Sequence, residues 1–122
     1  MPPSAPAQMF QRITGALAGV SCALAVALGA YASHGTEGRA QQWLQTASLY
    51  LLLHGLALLV LAPTTQRRIG QGGLGLLALG MLLFCGSLIG AAVFGWSTRL
   101  APFGGSALIF GWLLLGLDRL RR

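Results

Sequence analysis

Three polar residues lie four positions apart in an otherwise apolar stretch, and they are the side chains best placed to do chemistry. Thr46, Tyr50 and His54 fall on one side of a helix, each about 6 Å further along its axis. The stretch ends at Pro63 and is long enough to cross a bilayer. An ionisable residue inside a membrane is costly, so it usually faces a partner or a cavity. His54 is therefore the first candidate for a functional group.

Two residues on later apolar segments are expected to meet this histidine. From the outer side of the membrane His54 is predicted about 12 Å deep, Ser87 at a similar depth, and Trp112 about 16 Å deep. An indole in hydrocarbon needs an acceptor for its N–H group, and a neutral imidazole offers one. We predict a buried polar cluster of Tyr50, His54, Ser87 and Trp112.

Metal binding and catalysis find little support. No C-x-x-C or H-x-x-x-H spacing joins the two histidines and two cysteines, so no metal site is predicted. The acids Glu37 and Asp118 lie in a loop and in a tail expected to be solvated or to face the lipid headgroups, so they form no carboxylate pair. Ser87 and His54 lack a third group that would orient the histidine. We expect no cofactor and no enzyme activity.

The composition is that of a membrane protein with one domain. Charged residues make up 8% of the 122 residues, against roughly 25% in soluble proteins. Glycine, with 18 residues, is also abundant, as it is in membrane helices. The net charge of +6 comes from arginines scattered between apolar runs. We therefore predict no nucleic-acid partner.

Four apolar runs predict an all-α fold, a bundle of four transmembrane helices with antiparallel neighbours. Residues 1–11 are expected to form a disordered tail, and Thr36 to cap the second helix. A secretory signal ending at Ala32 is the weaker alternative for the first run. The membrane domain is 12–122, with spans at about 13–33, 46–62, 72–95 and 101–117.

Arginines predict the orientation of the bundle. Of eight arginines, only Arg39 and Arg99 fall on one side, and the other six fall on the side of the termini. Positive loops stay in the cytoplasm, so both termini are predicted to be cytoplasmic. The lipid bilayer surrounds the chain, and anionic lipid is expected at Arg119, Arg121 and Arg122.

Glycines at helical spacing predict close helix packing, because membrane helices associate largely through small side chains. The candidates are Gly15, Gly19, Gly86, Gly90, Gly104, Gly105 and Gly111.

Four stretches carry a family resemblance. They are A-L-G-A-Y-A-S-H-G (27–35), T-A-S-L-Y-L-L-L-H-G-L-A-L-L (46–59), L-F-C-G-S-L (83–88) and A-P-F-G-G-S-A-L-I-F-G-W-L (101–113). In this order they resemble the YgdD-like, or transmembrane-protein-256-like, family of small membrane proteins of unknown function. Leu51, Leu53 and Ile89 depart from the family's usual residues. The matching positions are His34, Tyr50, His54, Gly86, Ser87, Pro102, Gly104, Gly105, Gly111 and Trp112.

The resemblance implies a multi-pass protein of the bacterial inner membrane and no established activity. We favour a non-enzymatic accessory or structural subunit of a larger membrane complex, with other membrane subunits or further copies of the chain as partners. The alternative is a small proton or solute channel or carrier that uses the His54 cluster and is reached from the outer side past His34 and Thr46. A hydrated cavity reaching His54 would favour transport, and dry packing would favour the accessory role.

Overall fold

The computed structural model describes residues 4–121 and shows four long helices. The helices are α1 (Ala5–Gly35), α2 (Gly38–Leu61), α3 (Arg68–Phe94) and α4 (Ala101–Leu120), with a 3₁₀ turn, Ala62–Thr64, after α2. Each long helix has the length and apolar composition needed to cross a membrane. The predicted all-α fold with four transmembrane helices is confirmed. The cytoplasmic placement of the termini stays a prediction.

Helix α1 begins earlier than the sequence argument placed it. It starts at Ala5, so residues 5–11, expected in a disordered tail, are helical. The Ser4 hydroxyl accepts a hydrogen bond from the Ala7 amide at 3.3 Å, and Pro6 lies in the first turn, where its missing N–H costs little. The Pro, Ala and Ser residues read as disorder therefore start a helix. Residues 1–3 of the predicted tail lie outside the described part of the chain.

Helix α2 begins at Gly38, eight residues before the predicted membrane span of 46–62. Thr36 was expected to cap it, but the Thr36 hydroxyl donates to the Ala32 carbonyl at 2.8 Å. It therefore satisfies the end of α1 instead. Glu37 occupies the N-cap position of α2 and makes no side-chain capping bond. The connection between the two helices is consequently very short, which makes them antiparallel neighbours.

The helices pack in chain order, α1 on α2, α2 on α3 and α3 on α4. Both chain ends lie beside the α2–α3 connection, at what we name the terminal end of the bundle. There the Gln11 side chain donates to the Pro63 carbonyl at 3.5 Å, and the Arg67 guanidinium donates to the Arg121 carbonyl at 2.8 Å. The connections α1–α2 and α3–α4 lie at the opposite, loop end.

Glycine backbones form the α3–α4 contact. A Cβ atom on Gly73 would lie 2.9 Å from the Gly111 carbonyl oxygen, and one on Gly80 would lie 2.8 Å from that of Gly104. Each helix thus contributes two glycines seven residues apart, and they face each other because the helices are antiparallel. Close backbone approach of this kind is the usual benefit of glycine in membrane helices.

Small side chains rather than glycine pairs form most of the α1–α2 contact. Ser48 donates its hydroxyl to the Ala25 carbonyl at 2.6 Å, and a Cβ atom on Gly55 would lie 2.9 Å from Cys22 Sγ. The buried residues of α1 recur every three, four or seven positions along one face. They are Thr14, Ala18, Ser21, Ala25 and Ala32.

Candidate functional site

His54 and Trp112 meet in the interior and join α2 to α4. The Trp112 Nε1–H donates to His54 Nε2 at 3.1 Å. His54 Nδ1 lies 2.8 Å from the Tyr50 carbonyl oxygen. Because a carbonyl oxygen only accepts, Nδ1 carries the proton and Nε2 is the acceptor. Both nitrogens of a neutral imidazole are therefore engaged, and His54 is only 5% exposed.

Aromatic rings surround this hydrogen bond. The Tyr50 ring stacks on His54 with centroids 5.6 Å apart and contacts Phe84 on α3 at 4.6 Å. The Trp112 ring lies 5.7 Å from the His54 ring at an angle of 55°. We name Tyr50, His54, Phe84 and Trp112 the aromatic cluster. It connects three of the four helices.

The aromatic cluster lies near the middle of the membrane-spanning helices. Helix α2 has 24 residues and is about 36 Å long. Tyr50 is about 18 Å and His54 about 24 Å along it from Gly38. Helix α2 begins eight residues before Thr46, the residue from which the depth of about 12 Å for His54 was counted, so that depth in the membrane stays a prediction.

A pocket of about 340 Å³ lies against the aromatic cluster. Ile109 and Trp112 on its rim are 61% and 42% exposed, so the pocket opens sideways from the bundle. In a membrane this direction leads to the acyl chains. The lining residues are Tyr50, His54, Phe84, Gly105, Leu108, Ile109 and Trp112.

Ser87 does not join the aromatic cluster. It lines a different pocket, of about 190 Å³, together with Trp96 and Leu100. Its buried hydroxyl has no hydrogen-bond partner within residues 4–121. Ser87 and Phe84 are less than one turn apart on α3, and it is the phenyl ring that meets Tyr50. Phe84 is apolar, so a pattern of polar groups at equal depth gave no signal for it.

The two residues predicted on the outer approach lie apart from each other. His34 is exposed and lines a loop-end pocket of about 280 Å³ with Gly35, Thr36 and Glu37. Thr46 is half-buried on α2, one turn before Tyr50. The pocket beside His34 and the pocket beside His54 have no lining residue in common.

The predicted packing glycines divide into two groups. Gly104 and Gly111 face α3, Gly90 is covered by the Trp96 ring, and Gly105 would place a Cβ atom 4.0 Å from Phe84 Cδ1. Around Gly15, Gly19 and Gly86 a Cβ atom would meet nothing within 4 Å. The structure adds Gly55, Gly73 and Gly80 as close-contact positions. The seven-residue spacing of Gly73 and Gly80 was the available signal.

Asp118 is buried at the terminal end of the bundle, contrary to the solvated or headgroup-facing position expected for it. It is 0% exposed, and a Cβ atom on Gly70 would lie 2.9 Å from its Oδ2. Helix α4 continues to Leu120 and so carries Asp118 inside the bundle.

The basic C-terminus stays accessible at this end. Arg119 and Arg121 are exposed, so the expected anionic-lipid contact remains sterically open at these two positions. Arg122 lies outside the described residues. Among residues 4–121 no three His, Cys, Asp or Glu side chains gather as a metal ion would need.

Comparisons with known proteins identify the family. The model of a family described as a protein of unknown function, DUF423, matches residues 28–105, which is more than half of the chain. The chain belongs to this family. An inner membrane protein of Escherichia coli (strain K12) named UPF0382 inner membrane protein YgdD is 37% identical over 126 residues, covering 93% of this chain and 95% of that protein.

Further relatives come from other bacteria. A UPF0382 membrane protein of Haemophilus influenzae is 35% identical over 111 residues, covering 82% of this chain and 85% of the relative. The UPF0382 membrane protein YwdK of Bacillus subtilis is 34% identical over 110 residues, covering 81% and 89%. No solved structure matches the chain. The relatives' names and the four spans identify a multi-pass protein of the bacterial inner membrane.

Proposed function

We propose that this protein is a non-enzymatic accessory component of a larger inner-membrane complex, attached through one face of α1. The observation that carries the proposal is the division of α1's exposed surface into two sides. One side is large and apolar, with Ile13, Val20, Leu24 and Tyr31. The other, which we name the small-residue face, is broken by one larger side chain, Val26. Its other members are Ala16, Gly19, Ala23 and Ala30.

The two sides of α1 suit different neighbours. Lipid tails are as apolar as leucine, so a position that faces lipid does not require a small side chain. A second helix gains dispersion energy when small residues let its backbone approach. The opposite face of α1, with Ala18 and Ala25, already packs in this way on α2. The small-residue face offers the same surface to a helix of another chain.

The aromatic cluster gives more support to a packing role than to transport. A proton relay through His54 would need Nε2 to accept a proton, but the Trp112 N–H already occupies that nitrogen. The pocket beside it is lined mainly by apolar side chains. A channel needs polar groups free to hydrate its contents. We therefore prefer the accessory role to the His54 channel or carrier.

Purification in mild detergent with a matched pair of variants tests the proposal. Gly19→Leu blocks the small-residue face, and Gly116→Leu adds the same side chain to a lipid-facing position of α4. A Cβ atom meets nothing within 4 Å at either site, so both variants should melt at the wild-type temperature. We expect Gly19→Leu to lose co-purifying membrane subunits at least tenfold and Gly116→Leu to keep them.

Three outcomes would overturn the proposal. Equal loss or equal retention of subunits by the two variants would show that the small-residue face is not the contact. Recovery of further copies of the chain alone would make the protein a homo-oligomer rather than an accessory component. Quantitative mass spectrometry of the purified complexes, with the chain's own stoichiometry measured, separates these results.

A further inference from the structure

We propose that the pocket beside the aromatic cluster binds a lipid-soluble ring compound that carries a carbonyl oxygen, such as a quinone. The pocket is bounded by rings on three helices, with Tyr50 on α2, Phe84 on α3 and Trp112 on α4. Its volume of about 340 Å³ is at the lower end of the range for small-molecule sites, roughly 300–1,000 Å³. It accommodates one substituted ring.

The Tyr50 hydroxyl is the polar group available to a ligand. The His54 nitrogens and the Trp112 N–H are engaged with each other and with the Tyr50 carbonyl. The Tyr50 hydroxyl has no hydrogen-bond partner among residues 4–121, although its ring lines the pocket. A phenol normally finds an acceptor in an apolar environment. A ligand carbonyl would supply that acceptor.

The position of the pocket restricts where the ligand comes from. Tyr50 lies about 18 Å along a helix about 36 Å long, near its midpoint, and His54 and Trp112 form the wall of the pocket one turn further from the loop end. The pocket opens past Ile109 and Trp112 toward lipid. Phospholipid headgroups and their ester carbonyls lie at the membrane surface, so a phospholipid would place hydrocarbon, not a ring, against His54 and Trp112 in the interior of α2 and α4. A molecule dissolved in the bilayer core can bring both a ring and a carbonyl to Tyr50.

The surrounding rings favour a planar ligand. Flat aromatic surfaces interact with other rings in offset-stacked or edge-to-face arrangements. Gly105 leaves room at the wall of the pocket, since a Cβ atom there would meet only Phe84 Cδ1, at 4.0 Å. A flexible acyl chain would fill the same space, but it would neither stack nor accept a hydrogen bond. The two occupants therefore differ in their dependence on the Tyr50 hydroxyl.

Quenching of Trp112 fluorescence by decylubiquinone tests the proposal. The full chain carrying Trp43→Phe and Trp96→Phe retains Trp112 as its one tryptophan and is reconstituted in phospholipid nanodiscs. We expect saturable quenching. In the same background Tyr50→Phe should raise the half-saturating concentration about tenfold, which corresponds to the upper end of the net contribution of one hydrogen bond. Gly105→Leu, which fills the pocket, should abolish saturation.

Other results would overturn the inference. Quenching that rises linearly with decylubiquinone and is equal in all three proteins would show partition into the bilayer only. Saturable quenching unchanged by Tyr50→Phe would show a site that takes hydrocarbon without the hydrogen bond, as an acyl chain would. Near-ultraviolet circular dichroism of each variant checks that the aromatic packing is retained. Subunit co-purification with wild-type chain is an independent readout, so failure here leaves the accessory role standing.

Discussion

The helix pair α3–α4 and the helix pair α1–α2 solve the same packing problem in different ways. In α3–α4 the backbones touch directly, with Gly73 against Gly111 and Gly80 against Gly104. In α1–α2 most of the close contacts involve small side chains, such as Ser48 on Ala25 and Cys22 beside Gly55. The first contact tolerates no added atom, whereas the second has side chains that can adjust. Two interfaces in one small protein should therefore respond very differently to the same substitution.

The pairs also differ in how much of their small-residue surface they use. The glycines of the α3–α4 contact are buried within the chain's own fold. Helix α1 buries one small-residue face on α2 and leaves another exposed at Ala16, Gly19, Ala23 and Ala30. Glycines that stabilise the fold, such as Gly73 and Gly104, are therefore distinct from glycines exposed on the surface, such as Gly19. The glycine positions in the sequence do not by themselves distinguish the two roles.

The largest expected effect is at Gly104 on the α3–α4 contact. A Cβ atom there meets the backbone nitrogen and Cα of Phe84, which cannot move aside as a side chain can. We expect Gly104→Ala to lower the free energy of unfolding by about 3 kcal/mol. Titration with sodium dodecyl sulfate in mixed micelles measures it.

The neighbouring Gly105 provides the matched control. Its Cβ atom would meet only Phe84 Cδ1, at 4.0 Å, so Gly105→Ala should be neutral or stabilise by up to about 1 kcal/mol through helix propensity. Equal losses at Gly104 and Gly105 would contradict the direct backbone contact.

A smaller effect is expected at Gly55 on the α1–α2 contact. An added Cβ atom lies 2.9 Å from Cys22 Sγ and 3.3 Å from Ser21 Cβ, with the Ala18 carbonyl oxygen at 3.2 Å. Two of these three neighbours are side-chain atoms that can shift. Gly55→Ala should therefore cost about 1–2 kcal/mol in the same titration. Gly15→Ala, with nothing within 4 Å, is the control. A loss at Gly55 larger than that at Gly104 would reverse the proposed order of the two contacts.

The hydrogen bond from Trp112 to His54 joins α4 to α2 and so links the helix pair α3–α4 to the helix pair α1–α2. Trp112→Phe keeps an aromatic ring but removes the N–H, which leaves His54 Nε2 buried without its partner. We expect a loss of about 1–2 kcal/mol in the free energy of unfolding. Trp96→Phe at the exposed loop end is the control and should change stability by less. Equal losses of unfolding free energy for the two substitutions would show that the indole N–H of Trp112 does not stabilise the contact between α2 and α4.

The smallest effect belongs to the Ser48 hydroxyl, which donates to the Ala25 carbonyl at 2.6 Å. Hydrogen bonds between membrane helices average about 0.6 kcal/mol. Ser48→Ala should cost about that amount, measured by the same unfolding titration. The Ala25 carbonyl keeps its backbone hydrogen bond within α1, so the substitution removes only the bond from Ser48. A cost above about 2 kcal/mol would show that α1 depends on this bond more than on its small-residue packing.

Apolar run length was sufficient to predict four spans, because the bilayer fixes how long a crossing helix must be. The demand of an indole N–H for an acceptor pointed to Trp112 and His54, which the structure places in contact. Rotation of each helix about its axis was not predictable. In helix α3 the spacing of Gly73 and Gly80 marks one side, but it does not separate Ser87 from Phe84, which lie less than one turn apart. The start of α1 was also missed, since its first turns at residues 5–11 extend beyond the apolar run.

Photocrosslinking in native membranes tests the assignment of the small-residue face most directly. A benzophenone amino acid is placed at Gly19, on that face, or at Val20, which lies at the same depth on the large apolar side of α1. We expect one protein adduct of defined mass from position 19 and only lipid adducts from position 20. The same protein adduct from both positions, or lipid adducts alone from both, would contradict the account.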